Sequence, residues 1–443
     1  MIQTIRNAWK VPELRNKLLF TVFALLIFRL GSAIPVPFID TATLSAYMSA
    51  QSASIFSLLN VMSGDAFAQA TVFALSIQPY INSSIIIQLL TIAIPALERL
   101  QKEGGEEGKK KLAAITRYAT VAIALIQAFG YYTMIHYYGL VAEGVWPAIV
   151  IIAAFVAGSA FLMWLGEQIT EFGIGNGISI ILFAGIVARG PAMVSSIVSG
   201  VRNWANGVSS TTASSLHPVF IPLIIVGMLL LVAFIVFITD AERRIPVQYA
   251  KRMVGRKMYG GQSSHIPIKV NMAGVLPIIF AQAIASLPAT IGMFVPSAQQ
   301  EGTFWHNFLH VFDSRGLIYS VVYFLLIILF SYFYNTIQFN PVEVANNLKK
   351  NGGFVPGFRP GKPTSDFLSK VISRITMFGA IYLGVVALLP TITGNIMSAL
   401  GSSAGRSLAI GGTSIIIVVG VALETVKALE AQLMMRHYKG FLE

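Results

Sequence analysis

The 443 residues are 55% hydrophobic and only 11% charged, with a mean hydropathy of +0.71, a balance that excludes a soluble multidomain protein and indicates a chain crossing the membrane many times. No cysteine occurs, which removes disulfides, thiolate metal sites and cysteine nucleophiles. A net charge of +12 would suggest nucleic acid in a soluble protein; in a membrane protein the first question is which loops hold it.

Residues 1–17 are polar, basic and weakly amphipathic, and they lead into a first span from Leu18 to about Pro37. Pro35 and Pro37 stand where a secretory signal would have a small-residue cleavage site, so this segment is read as a true helix. Arg29, its one charge, lies near the exit end and can snorkel or pair within the bundle. No Lys or Arg occurs between Ser32 and Glu98, which marks the next loop as external. Within it the apolar run Ile55–Met62 is far too short to cross about 30 Å of hydrocarbon. A re-entrant or half-buried helix is expected there, broken at Ser63, Gly64 and Asp65.

FALSIQPYINSSIIIQLL, Phe73 to Leu90, has membrane-spanning character but carries a proline and three small polar residues in its middle. Pro79 removes a backbone donor, and Asn82, Ser83 and Ser84 would be unsatisfied in hydrocarbon, so the segment should face protein or water. Ile77 and Ile81, four apart, project from one side, which is read as the lining of something.

Further spans are expected at about 75–94, 113–137, 146–167, 177–197, 217–238, 272–294, 316–338, 368–390 and 407–428, ten in all. Of the 31 Lys and Arg, 26 fall in the terminal segments and the loops on the same side as them, which puts both termini in the cytosol. Five spans is an odd number, so a second set of five must cross in the opposite sense to the first. The second span of each set is interrupted by proline, Pro79 and Pro277. Inverted repeats with broken helices at matching positions point to a pathway between the halves.

Two cytosolic loops, 240–270 and 340–370, are long, basic and rich in Gly and Pro, and the first could form a hairpin around Gly260 and Gly261. Their charges either anchor topology or form a docking surface for an anionic partner, RNA or an acidic protein. Gly173, Gly175 and Gly177 have G-x-G-x-G spacing but no strand before them, so they suit a tight turn rather than a dinucleotide site. Glu103 to Lys111 lacks the Walker spacing. Asp65 could suggest an intramembrane aspartyl protease, but no expected span carries a second, central carboxylate. The same scarcity argues against proton or cation coupling.

FALSIQPYINSSIIIQLL and WLGEQITEFGIGNGISIILFAGI, Trp164 to Ile186, resemble signature segments of the SecY family of bacterial protein-conducting channels. The likeness extends through RLGSAIPVP (Arg29 to Pro37), KVNMAGVLP (Lys269 to Pro277), NNLKKNGGFVPGFRPGKPT (Asn346 to Thr364) and GGTSIII (Gly411 to Ile417). It departs at Ser76 and at Asp65, where the family commonly has glycine.

The resemblance implies an all-α polytopic membrane protein with ten transmembrane helices in two inverted five-helix halves, 1–200 and 201–443, around a central hourglass pore. A ring of Ile77, Ile81, Ile178, Leu182, Ile279 and Ile417 would close its waist. A re-entrant plug helix at about 55–69, with Ile55, Phe56, Leu58, Leu59, Met62, Ser63, Gly64 and Asp65, would sit beyond the ring. A lateral gate between spans 2 and 3 and spans 7 and 8 would have Ser83, Gln127 and Gln282 as polar contacts across the cleft, with Pro79 letting span 2 bend. Arg243, Arg244, Lys251, Arg252, Lys349, Lys350 and above all Arg359 would bind cytosolic partners, the ribosome or the SecA motor ATPase. The resemblance also implies SecE and SecG subunits, signal sequences and unfolded polypeptides as substrates, contact with membrane lipids, the bacterial inner membrane as location, and neither cofactor nor catalysis. A secondary transporter of small solutes with inverted repeats is the alternative, and a membrane-embedded enzyme a third reading.

Overall fold

A computed structural model of the protein describes residues 2–50, 60, 63–206, 220–249, 252–254, 257–259, 263–272, 274–292, 294–295, 303–311, 316–399 and 412–439. It is helical nearly throughout. The first half contains α1 (Ile2–Trp9), α2 (Pro12–Gly31), α3 (Thr41–Ala50), α4 (Gln78–Ala93), α5 (Pro95–Lys102), α6 (Gly105–Tyr137), α7 (Val145–Phe172), α8 (Gly177–Ala188) and α9 (Gly190–Ala205). After α10 (Phe220–Asp240) come strands β1 (Glu242–Tyr249), β2 (Arg252–Val254), β3 (Lys257–Tyr259) and β4 (Ser263–Lys269). Then follow α11 (Leu276–Ala285), α12 (Leu287–Gly292), α13 (Phe304–Val311), α14 (Leu317–Gln338), α15 (Pro341–Lys350), β5 (Gly353–Phe354), α16 (Lys362–Ala399) and α17 (Gly412–Lys439).

Each of the ten expected spans maps onto a helix or a broken pair. Among the described residues, however, only four helices are individually long and apolar enough to cross a membrane, or five if the bent pair α4 and α5 is counted as one. The physical reason is interruption. α4 and α5 meet at a bend of 105°, where extended Ile94 precedes Pro95. α8 has 12 residues and α11 only 10, about 18 and 15 Å at the helical rise. Short, broken helices of this kind require neighbours to satisfy their ends.

Those neighbours form a closed circuit. α4 packs on α6, α6 on α7 and α7 on α8; α11 packs on α14, α14 on α16 and α16 on α17. The two series meet along two seams, α8 against α17 and α4 against α11. α2 packs on α7 and α10 on α17, while α1 lies on α17 and so gathers both ends of the chain at one end of the bundle. There Thr4 Oγ1 donates to Glu430 Oε1 at 3.0 Å and Lys17 Nζ to Gln432 Oε1 at 3.3 Å.

α4 and α11 begin alike. Each has proline in its first turn, Pro79 or Pro277, where the missing N–H costs no helical bond. Each is preceded three residues before the proline by a left-handed residue, Ser76 at φ 51° and Gly274 at φ 63°. Pro79 therefore starts its helix, and the expectation that it sits mid-span and lets the helix bend is corrected: the bend is at Ile94. Residues 73–77 form turns, with Ile81 N donating to Ile77 O at 3.1 Å.

The described part of the expected plug is also compact turn rather than continued helix. Asn60 and Ser63 are helical and 64–70 are turns, because Gly64 and Asp65 take φ of 65° and 72°. Ile55, Phe56, Leu58, Leu59 and Met62 lie outside the described residues. The loop after α2 also holds α3, not foreseen from sequence; Asp40 precedes it and accepts from Thr43 N at 3.2 Å and from Thr43 Oγ1. These bonds hold its carboxyl below the ordinary value.

Candidate functional site

Five of the six ring residues belong to one buried cluster, and the sixth packs against it. Ile77, Ile81, Leu182, Ile279 and Ile417 are each 1–3% exposed, while Ile178 is partly buried against them. They come from α4 and the turn before it, α8, α11 and α17, the four helices that form the two seams. The cluster is the main core of the bundle and also takes in residues of α2, α7, α10, α14 and α16; the ring residues are its contribution from the four seam helices.

Local chemistry fixes each member. The Asn176 side chain accepts from Ile178 N at 3.1 Å and Ser179 N at 3.4 Å, which starts α8 at the residue that presents Ile178. A Cβ on Gly177 would lie 2.0 Å from Gly166 O, so the glycine lets α8 approach the α7 backbone. A Cβ on Gly166 would in turn meet Ile178 at 3.4 Å and Ile77 at 3.5 Å; both side chains converge on that one point. On α17, Ile417, Gly420 and Glu424 share a face. A Cβ on Gly420 would meet Val275 Cγ1 at 2.2 Å, and the exposed Glu424 reaches the start of α11, where a Cβ on Gly274 would stand 2.1 Å from its Oε1. Sequence reading passed over Glu424, which lies inside the last expected span; its i+7 relation to Ile417 was the available signal.

The seam between α4 and α11 carries buried polar groups. Gln78 Nε2 donates to Ser286 Oγ at 3.2 Å, a bond across the seam that sequence reading missed. Gln282, one turn before Ser286, is buried, and neither its Oε1 nor that of Gln78 has a hydrogen-bond partner. Ser83, expected to bond across the cleft, instead donates to Thr116 O at 2.8 Å and ties α4 to its own neighbour α6. This is a correction with a simple cause: Ser83 points away from α11, on the side of α4 that faces α6. Gln127 is buried on α6, where the contact made across the seam is aromatic, Phe129 stacking on Phe294 at 6.4 Å.

Ser63, Gly64 and Asp65 are held at the end of the bundle away from the termini. Ser63 is buried and its Oγ accepts from Phe67 N at 3.0 Å. Phe67 packs on Tyr131 at 4.5 Å between ring centroids, and Tyr131 Oη donates to Phe67 O. Val36 N to Ala70 O and Val72 N to Ile34 O, both 3.0 Å, stitch the following residues to the chain leaving α2.

At the opposite end the two basic loops join. β1 pairs with β4 along Glu242↔Lys269 to Gln248↔Ser263, and β5 pairs on the other edge of β1 through Gln248↔Phe354 and Tyr249↔Gly353. The hairpin is centred between Val254 and Lys257, which pair with each other, not at Gly260 and Gly261. Arg243, Arg244, Lys349, Lys350 and Arg359 are exposed, with Arg244 Nε on Glu242 at 2.7 Å. Arg252 pairs through its backbone with Tyr259, and Lys251 lies outside the described residues. The Arg359 tip is rigidly held: Phe358 stacks on Phe367 at 4.2 Å and Thr364 Oγ1 donates to Arg359 O at 2.8 Å. Among the described residues no group of His, Asp and Glu could hold a metal ion.

A family model described as SecY matches residues 71–426. Protein translocase subunit SecY of Streptomyces galbus is 43% identical over 457 aligned positions, and that of Mycobacterium tuberculosis (strain ATCC 25618 / H37Rv) 41% identical over 461; both alignments cover 100% of each chain. The solved structure described as "The structure of a protein conducting channel" superposes with a TM-score of 0.62 at 18% identity, over 94% of this chain and 92% of that one. "Sec61 in the Canine ribosome-channel complex from the endoplasmic reticulum" superposes at 0.58 and 16% identity, with 94% and 92% covered.

Proposed function

The chain belongs to the SecY family of protein translocase channel subunits, and from that premise we propose that the six aliphatic residues where the seams meet are the seal of its pore. The supporting observation is that all six lie in or against the main buried core, on the four helices that form the two seams, with Ile77 and Ile178 reaching the same point beside Gly166. A narrow apolar constriction excludes water and ions by dewetting, and flexible aliphatic side chains can part around a passing chain without binding any particular sequence. The protein is a passive channel, not an enzyme.

The two helix series are the halves of a clamshell, divided near residue 200. The α8–α17 seam is the hinge side and the α4–α11 seam the lateral gate, where a signal sequence displaces Gln78, Ser286 and Gln282 and membrane segments pass into lipid. Residues 55–69 act as the plug. The joined basic loops, led by Arg359, dock the SecA motor or the ribosome, which supply the work, while SecE clamps the halves and SecG lies at the edge. The location is the bacterial inner membrane, with both termini cytosolic.

The absence of cysteine makes the test direct. Single cysteines introduced on α4 and α11 should crosslink to an arrested nascent signal sequence, whereas cysteines on the outer face of α7, which takes no part in the gate, should not. Equal labelling of both sets, or none on α4 and α11, would overturn the gate assignment.

A further inference from the structure

The α8 face that carries Ile178 and Leu182 continues, at helical spacing, through Gly185 to Arg189. Both added residues meet the 63–70 segment. Gly64 lies so close to α8 that a Cβ would stand 2.7 Å from Gly185 O. Arg189 Nε lies 3.1 Å from Asp65 Oδ1 and 3.2 Å from Oδ2, with the two side chains about one third exposed at 28% and 32%. Asp65 is itself fixed from behind. Asn60 Nδ2 donates to its Oδ1 at 2.9 Å, and Asn60 Oδ1 accepts from Ala68 N at 2.9 Å. Arg189 caps the C-terminus of α8, where a cation also complements the helix dipole.

We infer that the Asp65–Arg189 ion pair is a latch that holds the 63–70 segment against the ring-bearing face of α8, and so sets how apolar a signal must be to open the channel. This rests on reading the cluster as the pore seal and the segment as its plug. Opening is an equilibrium, and a signal shifts it only by its differential affinity for the open state. An interaction made only in the closed state therefore raises the signal strength required. The latch determines specificity without touching the substrate.

The test uses the complete channel complex in vesicles and a series of secretory precursors with progressively shortened apolar signal cores. Asp65→Asn keeps the shape and tolerates the left-handed backbone, and Arg189→Gln removes the other charge. Each is expected to raise export of the weakest-signal precursors about fivefold, the shift produced by losing a partly exposed ion pair. The double variant should gain no more than either single one, and Arg189→Lys should retain most of the threshold. Unchanged weak-signal export, or gains that multiply in the double variant, would overturn the latch. A separate variant, Asp65→Cys with Arg189→Cys, bridged by a cleavable bifunctional thiol reagent, should block export until reductant releases it. Full export by the bridged channel would overturn the plug reading itself, whereas a block combined with inert charge variants would overturn the latch alone.

Discussion

The gate seam gives two substitutions of opposite sign at one hydrogen bond. Gln78 and Ser286 share a buried bond of 3.2 Å, worth about 0.6–1.7 kcal/mol inside a membrane. The amide is only half satisfied, since Gln78 Oε1 has no partner in the closed seam. Ser286→Ala removes the acceptor and strands the Gln78 amide, so the closed seam should lose about 1 kcal/mol and open about fivefold more readily. Gln78→Leu also removes that bond, but it removes the unpaired carbonyl too, whose burial costs about 1–3 kcal/mol, and adds apolar contact. The closed seam should gain about 1–2 kcal/mol, and weak signals should open it about tenfold less often. The opened cleft admits water, which satisfies the wild-type amide and so magnifies the difference. Export of a graded signal series and resting conductance in planar bilayers would both report it. Shifts in the same direction for the two variants would refute the reasoning, because only an under-satisfied closed seam separates them.

Replacing Ile81 and Ile279 by glycine or serine should make resting membranes leak ions, because the seal depends on apolar bulk on both sides of the α4–α11 seam; unchanged single-channel conductance would count against the ring. Ser76→Gly should stabilise the folded complex by about 1–2 kcal/mol, read as a rise in thermal midpoint, since it relieves a left-handed residue and removes a buried hydroxyl with no partner. Arg359→Glu reverses the charge on a rigid tip whose backbone bond to Thr364 does not involve the side chain. Motor-dependent export should fall more than insertion of nascent membrane proteins, and equal loss of both would remove the assignment.

Local spacing and charge showed which residues share a face and where the basic loops lie, while the selection of the six ring residues came from the family resemblance. Ile77 with Ile81 and Ile178 with Leu182 are one turn apart, so their common facing follows from helical geometry alone. The segregation of Lys and Arg marked the two basic loops without any coordinates. Ser76 and Asp65 stood out against the family pattern, and both prove to hold left-handed backbone, where glycine carries no side-chain penalty.

What sequence by itself determined was the class of molecule, the approximate spans, and which residues share a face, because composition and periodicity are local properties. Only the tertiary structure decided partners. That Gln78 rather than Ser83 bonds across the α4–α11 seam depends on the rotation of one helix about its axis. That β5 joins the first basic loop depends on strands about a hundred residues apart finding a common register. The pairing of Asp65 with Arg189 spans 124 residues, and no local pattern encodes it. Such contacts are set by how rigid helices dock, a collective result of packing the whole core that no single stretch of chain contains.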